Sequence, residues 1–552
     1  MRDSRLLAAV GVALAAAAYL YGLSSIYAPT IGDEALYLQI ARKTAESGKL
    51  LPLVSETGIT DTKPPLLFWQ GILATSFGRT WELWRLRAPV VALSFATASL
   101  VGLLAARCSG RRSVGLLAAL VFLGFRSTIQ YGRPFLTNAG EALFLFVPFV
   151  LLHRRSSTSV RLALACGVSL GAAALYKSFA VVAPGTLALA LVLWRRERWD
   201  ASAFLRRHGA FVAATATIAL AIFGLWLAFD PRPDLVIAQF VVGENAGKFR
   251  SAGFLSGLVA GPYPLWRIWL GDLANAGLYA PLVVALALDL WRRRRALPDV
   301  EAELWLFVLA FLAFYSFPAQ RQENYLLATC AALAVLLALR WDALPGLAFR
   351  ITLGALAAAG LLLPVVESAI SARVGTRLFS PLALFVPAAL GLVALAAAAR
   401  PSFGRAALPL LALSAVVAAS LFLAPFSRAF PEAAVAEVRG KPVLFPERFQ
   451  RDDEPGRFLL PGADVRAYAC PPGPGACPPP PTGSGLHAAL VLDVNERVPS
   501  GWEEIASLPH LKSRHTPAQI ADIAGGRLEL LVGRLVLVRA SAVALAPAVR
   551  TP

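Results

Sequence analysis

Apolar stretches long enough, or nearly long enough, to cross a bilayer recur through the first three quarters of the chain, each closed by a short polar run. About 20 apolar residues in helical conformation span the hydrocarbon core. On that measure the pattern predicts helices near 6–23, 86–106, 113–131, 134–152, 162–176, 179–194, 210–228, 270–291, 303–319, 324–339, 351–366, 380–399 and 406–425. That makes thirteen, give or take about one or two spans, because the pairs flanking Lys177 and Gln320 are short and close together.

The polar runs between these segments are unequal. Arginines gather in alternate loops: Arg107, Arg111 and Arg112; Arg154, Arg155 and Arg161; Arg195 to Arg207; Arg292 to Arg295; Arg340 and Arg350; Arg400 and Arg405. The loops between them show no such excess. The first, residues 24–85, balances six acids against six bases. Basic loops stay cytoplasmic, so the N-terminus is expected inside and, with an odd number of spans, the C-terminus outside. Residues 1–23 also carry the basic start and Ala/Leu run of a signal peptide. Against that competing reading, an anchored first span is what makes every later arginine loop cytoplasmic.

Composition agrees. Hydrophobic residues make up 57% and charged residues 16%, with a mean hydropathy of +0.62. Such a chain cannot cover its apolar surface with polar side chains and needs lipid around it. The formal charge of +18 would point to nucleic acid in a soluble protein. Here the bases sit in short runs between apolar segments, so no nucleic-acid partner is expected. The expectation is a polytopic α-helical membrane protein, with a membrane domain over 1–425.

From about residue 426 the texture changes. Residues 426–552 are Pro-rich and close to neutral, with strand-like runs at Leu490-Val491-Leu492 and Leu528 to Val538. They predict a small α+β domain outside the membrane. Cys470 and Cys477 bracket the tight loop CPPGPGAC, and in an oxidising compartment a disulfide would close it. Cys108, Cys166 and Cys330 lie in or near spans and read as buried thiols. No C-x-x-C or His-rich spacing points to a metal site. No internal repeat is evident, which weakens the case for a transporter built of two related halves.

The candidate chemistry lies in the first charge-balanced loop, 24–85. It opens Ile31-Gly32-Asp33-Glu34-Ala35-Leu36-Tyr37, runs on as an amphipathic stretch to Gly48, and reaches Asp61-Thr62-Lys63-Pro64-Pro65-Leu66-Leu67-Phe68-Trp69. Two adjacent carboxylates directly after a span lie at the lipid–water boundary, where one can act as a general base or hold an incoming hydroxyl or cationic group. Lys63 is stiffened by Pro64-Pro65, and a fixed ammonium at headgroup height suits a lipid phosphate. Each residue also has a plain structural reading. Asp33 can cap the helix that follows, Lys63 can snorkel, and Trp69, Trp81 and Trp84 can be interfacial belt residues.

The order of these motifs is more specific than any one of them. A span, Asp-Glu with a Tyr three residues later, an amphipathic helix, then Lys-Pro and an aromatic stretch resembles the GT-C glycosyltransferases. The nearest resemblance is to the superfamily of protein O-mannosyltransferases and lipid A aminoarabinose transferases. It continues at Leu175-Tyr176-Lys177-Ser178-Phe179, similar to a Lys-Gly-Phe turn; at Phe240 to Phe249, similar to a Glu-His-x-x-Arg-Phe segment; and at Phe314 to Leu326, similar to a Lys-x-x-x-Tyr-x-Leu stretch. It covers residues 1–340 or so; beyond that only the architecture matches.

The resemblance implies an integral membrane glycosyltransferase. It would take a sugar from a polyprenyl-phosphate donor of the undecaprenyl-phosphate type and pass it to a lipid, glycan or protein acceptor on the outer face. The Ala/Arg/Pro-rich composition points to a bacterial inner or plasma membrane. The resemblance assigns Asp33, and with less force Glu34, as the catalytic or acceptor-positioning acids. Lys63 would bind the donor phosphate, with Lys248, Arg321 and Lys177 as further cations around it. Tyr37, Asn138, Glu141, Glu244 and Tyr325 fall at sugar or acceptor positions. No cofactor or metal is implied, because the leaving group is already a phosphate.

The departures from the family pattern bear on specificity. A second acid expected before the fourth span is Asn138 here, so either Glu141 replaces it or no charge is needed. Leu36 stands where the aminoarabinose enzymes carry an arginine. Thr62 stands where they carry an acid, with Asp61 one residue displaced. Lys248 keeps the charge of an arginine but not its fork. These differences argue against aminoarabinose as the sugar. The rival reading is a transporter or flippase for a lipid-linked sugar, which would share the phosphate contacts but not need an acid pair on one face. A third is a structural assembly protein whose function would survive loss of Asp33.

Overall fold

The computed structural model describes residues 2–27, 32–60, 62–153, 157–245, 247, 256–259, 261–447, 451, 453–471, 477–481, 485–512 and 517–541. All thirteen predicted segments fall on helices. Among the described residues, eight helices are long and apolar enough to cross a membrane, or nine if a bent pair counts as one span. The shorter apolar helices Leu6–Leu20, Asn138–Leu152 and Val160–Tyr176 accompany them. The protein is a multi-span helical membrane protein with a small sheet near its C-terminus.

Two compact units divide the chain. One comprises Met1–Tyr21, Ile40–Ala357 and Val393–Ala415; the other comprises Gly22–Gln39, Ala358–Leu392 and Val416–Pro552. At the heart of the first unit lies the helix Leu327–Arg340, in which every residue from Leu327 to Ala338 is buried. A helix apolar all round can only be satisfied by packing on all sides. Around it, Leu83–Ser109 and Arg112–Gly124 approach closely because Gly102 faces Gly115. A Cβ at Gly115 would stand 2.5 Å from the Gly102 carbonyl oxygen, the close backbone contact that small residues permit in membranes.

The structure departs from the expected single span over 113–131. The helix breaks at Phe125, where the backbone is extended, and Arg112–Gly124 meets Arg126–Gly132 at 65°. The cause is tertiary. Ser127 Oγ donates to Asn275 Oδ1 at 2.6 Å, and Asn275 Nδ2 donates to the Glu323 carbonyl at 2.8 Å. Gly277, at φ +59°, lets Arg126 come so near that a Cβ there would be 2.6 Å from the Arg126 Cβ. The expected span 270–291 holds as one apolar helix, Gly271–Arg293, with a 3-10 turn over Gly277–Tyr279 inside it.

In the second unit, five strands form one sheet in the order Asp464–Ala469, Pro442–Glu447, His487–Asp493, Val532–Ala540, Trp502–Leu511. The first three run parallel, and the last two are joined antiparallel. Period-2 alternation sends Ala489, Leu535 and Leu537 to one face, against Phe430, Val438 and Phe445. Ala488, Leu490, Val536 and Val538 go to the other, with Trp502. The run from Leu528 is not all strand. Leu528–Leu531 is a 3-10 turn following Gly526, at φ +99°, and Leu528 and Leu531 pack with Ile370 and Phe379. Cys470 and Cys477 are joined in a disulfide, their Cα atoms 5.2 Å apart.

Asp453 is fully buried in this unit. Burial pushes its carboxyl up to about 6, against the opposing pull of Arg451. Its folded value thus lies above the ordinary value of 3.8, so the folded state binds the proton more tightly than the unfolded chain. The contribution of Asp453 to stability is therefore fully present at low pH and is lost as pH rises through that interval. Asp453→Asn is expected to raise the unfolding temperature at pH 7.5 and to flatten its dependence between about pH 4 and 6. Thermal unfolding across that range checks it, and a variant no more stable at pH 7.5 would contradict the assignment.

Candidate functional site

The amphipathic stretch after the first span is the helix Gly32–Glu46, with Asp33 and Glu34 in its first turn. Carboxylates there are favoured by the helix dipole. Asp33 lies inside the turn rather than before it, and its side chain is exposed, whereas Glu34 and Tyr37 are buried. The far end of the helix is pinned by ion pairs. Arg42 reaches Glu46 at 2.7 Å and Glu56 at 3.0 Å, and Lys43 reaches Glu56 at 3.4 Å. Burial pushes both carboxyls up, but the hydrogen bonds from Arg42 and the charge of Lys43 hold them below their ordinary value. The short hairpin of Val54–Ser55 and Gly58–Ile59 is tied to this helix by Thr44, whose hydroxyl accepts from the Val54 amide at 2.9 Å. Pro64-Pro65 then starts the helix Leu66–Ala74.

In the first unit the structure gathers motifs that are far apart in sequence. Lys63 Nζ lies 3.1 Å from Glu244 Oε1, both side chains partly exposed. Glu244 belongs to a π-helical run, Val236–Asn245, a geometry that is rare and concentrated at functional sites. Phe240 fixes the run by packing on Phe179, Phe223 and Trp226. Its last residue, Asn245, accepts from Ser178 Oγ at 2.7 Å and donates to the Phe240 carbonyl at 2.8 Å. The Glu244 segment is thereby stitched to the Lys177-Ser178-Phe179 turn.

Lys177 stands at the end of the helix Val160–Tyr176. Its ammonium lies 3.5 Å from Thr137 Oγ1 and 5.9 Å from the centre of the Tyr325 ring. Tyr325 packs on Tyr315 with centroids 5.3 Å apart. Asn138 and Glu141 follow Thr137 in the first turn of Asn138–Leu152; both are buried, and Glu141 lies within the field of Lys177. Glu141 Oε2 and Asn138 Nδ2 have no hydrogen-bond partner among the described residues. Beside them Gly140 admits the Tyr176 ring, which a Cβ would approach to 2.7 Å. Buried polar atoms left unpartnered are rare and call for a ligand or water.

Lys177, Glu141, Asn138 and Tyr325 are therefore neighbours around Thr137, and Lys63 meets Glu244 on the segment that Asn245 fastens to Ser178. Arg321 does something different. It is buried, and its guanidinium donates to the carbonyls of Ser316 and Tyr263 at 2.9 Å each, bracing the chain around it. Lys248 lies outside the described residues. Sequence reasoning missed Gln70, whose side-chain oxygen accepts from the Tyr176 hydroxyl and whose nitrogen has no partner among the described residues. The available signal was a lone amide in the apolar run LLFWQGILA. It also missed Tyr315, Ser178 and Asn245, whose parts depend on non-local contacts. Among the described residues no group of His, Cys, Asp and Glu is arranged to hold a metal ion.

Comparison with known proteins agrees with the motifs. Residues 31–232 match the family model for dolichyl-phosphate-mannose-protein mannosyltransferase. The fold is similar to that of ArnT from Cupriavidus metallidurans bound to undecaprenyl phosphate, with a TM-score of 0.63 at 15% identity, covering 97% of this chain and 98% of that one. The apo state of the same protein gives a TM-score of 0.57 at 16% identity, covering 84% of each chain. No curated protein matches in sequence. Two independent likenesses thus coincide, one in sequence over residues 31–232, which bear Asp33, Lys63, Glu141 and Lys177, to a dolichyl-phosphate-mannose-protein mannosyltransferase, and one in the fold of nearly the whole chain to ArnT.

Proposed function

We propose that the protein transfers a sugar from a polyprenyl-phosphate donor to a lipid, glycan or protein acceptor on the face opposite the arginine-rich loops. The observation that carries this reading is Lys177 set beside Thr137 and Tyr325, in a polar cluster that also holds buried, unpartnered Glu141 and Asn138 atoms, with Lys63 on the segment stitched to the same turn through Glu244 and Asn245. Cations fixed beside a sugar-binding space suit a reaction in which the C1–O bond breaks and negative charge grows on the departing phosphate. Glu141, Asn138 and Tyr325 would hold the sugar, and Lys63 and Lys177 the phosphate. Asp33, exposed in the first helical turn, would orient or deprotonate the acceptor hydroxyl. Similarity to an undecaprenyl-phosphate-bound fold supports the carrier class. Leu36 and Thr62, in place of a charged pair, favour a neutral sugar over aminoarabinose.

The test is transfer of label from a panel of polyprenyl-phosphate sugars to membrane-extract acceptors by the purified protein. Label on an acceptor supports the reading and names the sugar. Saturable donor binding without transfer from any donor would favour the flippase.

The Lys63–Glu244 pair makes a second expectation. The donor phosphate must displace Glu244 from Lys63, and a partly exposed pair of this kind contributes about 0.2–1 kcal/mol. Glu244→Gln should therefore tighten binding of plain polyprenyl phosphate by about 1.4- to fivefold. Weaker binding in a titration would mean that Glu244 orients Lys63 rather than competing for it.

A further inference from the structure

The Asp33-Glu34 turn is flanked on both sides by residues bonded to the C-terminal sheet region. Before it, Ile26 packs into the core formed by Phe430, Val438 and Phe445. Tyr27 packs with Phe426 and Phe379, edge-on to Phe426 at 6.2 Å, and its hydroxyl lies 2.5 Å from His510 Nδ1. Ser25 and Ser427 share a hydrogen bond through their hydroxyls, and the Tyr27 amide donates to Ser25 Oγ at 3.1 Å. After it, Gln39 is buried at 1% exposure. With its amide oxygen toward Arg451, it accepts from Nε at 2.5 Å and from Nη2 at 3.2 Å.

Arg451 is itself set in place. Its Nη1 meets Glu447 Oε2 at 3.0 Å, its amide donates to Glu447 Oε1 at 3.2 Å, and its Nε lies 3.5 Å from Asp453 Oδ1. Glu447 ends the Pro442–Glu447 strand, so the guanidinium is anchored to the sheet. The Arg451 backbone sits at φ +64°, a conformation unfavourable for a side chain with a Cβ and kept only where the surroundings impose it. The two oxygens of buried Asp453 accept no hydrogen bond among the described residues. A strained arginine held between a sheet carboxylate and a buried acid is an expensive way to fill space, and its outward partner is the Asp33 helix.

We propose that the C-terminal sheet domain positions the acid-bearing turn for transfer, gripping its helix through the Arg451–Gln39 contact and the preceding segment through Tyr27–His510 and Ser25–Ser427. The proposal rests on the reading of Asp33 as the acceptor-directing acid. Gln39 and Asp33 are six residues apart on one helix, about 9 Å along its axis, so a fork that fixes Gln39 also fixes the direction in which Asp33 points. Arg451, Gln39 and His510 are positioning residues; the chemistry stays with Asp33.

The test uses the full-length protein in detergent. Hydrogen exchange by mass spectrometry over residues 22–46 is compared for wild type, Arg451→Ala, Arg451→Lys and Tyr27→Phe, alongside transfer kinetics. Arg451→Ala is expected to speed exchange in the Gly32–Glu46 helix about tenfold, while the central strands His487–Asp493 and Val532–Ala540 exchange as in wild type. Its kcat should fall by roughly 10- to 100-fold with donor KM within about twofold, and Arg451→Lys should recover part of both. If Arg451→Ala loosens the strands too, Gln39→Leu carries the test, because it removes the same contact from the helix side. Unchanged exchange over 22–46 in Arg451→Ala and in Gln39→Leu would overturn the proposal. Exchange is read without substrate, so a faster helix in a protein that transfers no sugar would uphold the grip and overturn the function.

Discussion

Asp33→Asn is expected to lower sugar transfer by roughly 10²–10⁴-fold while leaving the amount of protein in the membrane and the affinity for the donor unchanged. The reason is the contrast within one helical turn. Asp33 is exposed and Glu34 is buried at 2% exposure, so an acceptor can reach the first carboxylate and not the second. An amide is nearly isosteric with the carboxylate and still accepts a hydrogen bond, but it cannot take a proton or carry the charge that orients an incoming hydroxyl. Loss confined to kcat would mark an interaction made in the transition state. Glu34→Gln should behave differently, lowering protein yield or unfolding temperature in step with activity, because the group it alters is part of a packed interior. Steady-state kinetics with purified, quantified protein separates the two. Normal turnover in Asp33→Asn would sink the assignment and revive the reading of this residue as a helix-terminus acid.

The helical architecture was legible because the membrane imposes a length on apolar segments, and that constraint acts locally on each stretch of sequence. The sheet near the C-terminus was legible for a similar reason, since Ala488-Ala489-Leu490 and Leu535-Val536-Leu537 serve two faces in alternation. What the sequence hid is non-local. The break at Phe125 exists because Ser127 and Arg126 reach the 274–277 segment, more than a hundred residues away. The π-helical run Val236–Asn245 carries no proline or glycine cluster to announce it, and it is held by aromatic packing from Phe179, Phe223 and Trp226.

The candidate site divides in the same way. Lys63 and Lys177 were recognisable from short motifs, but that Lys63 meets Glu244, or that Asn245 fastens that segment to Ser178, is written in no single motif. The resemblance of Phe314 to Leu326 to a Lys-x-x-x-Tyr-x-Leu stretch makes Arg321 a further cation around the phosphate. In the fold its guanidinium lies buried among carbonyls.

Lys177→Met should have the other large effect, and it tests whether Lys177 and Glu141 act as one unit. The lysine lies beside Thr137 and over Tyr325, one helical turn from a carboxylate that is buried at 3% exposure. Removing the cation alone takes away the field that favours a charge on the buried Glu141 carboxylate. The single variant should therefore lose stability as well as transfer. Adding Glu141→Gln removes the stranded charge, and the double variant should regain most of the wild-type unfolding temperature. Transfer should not return with it. Losing one preorganised cation at a departing phosphate costs roughly 10²–10³ in rate, and restoring the fold does nothing to replace that charge. A double-mutant cycle read by thermal unfolding and by kcat gives two coupling energies, one for the fold and one for the reaction. Strong coupling in stability together with a persistent loss of rate identifies Lys177 as a phosphate ligand that Glu141 also needs for its own burial. Recovery of transfer in the double variant would instead reduce Lys177 to a counter-ion for Glu141 and leave the phosphate to Lys63.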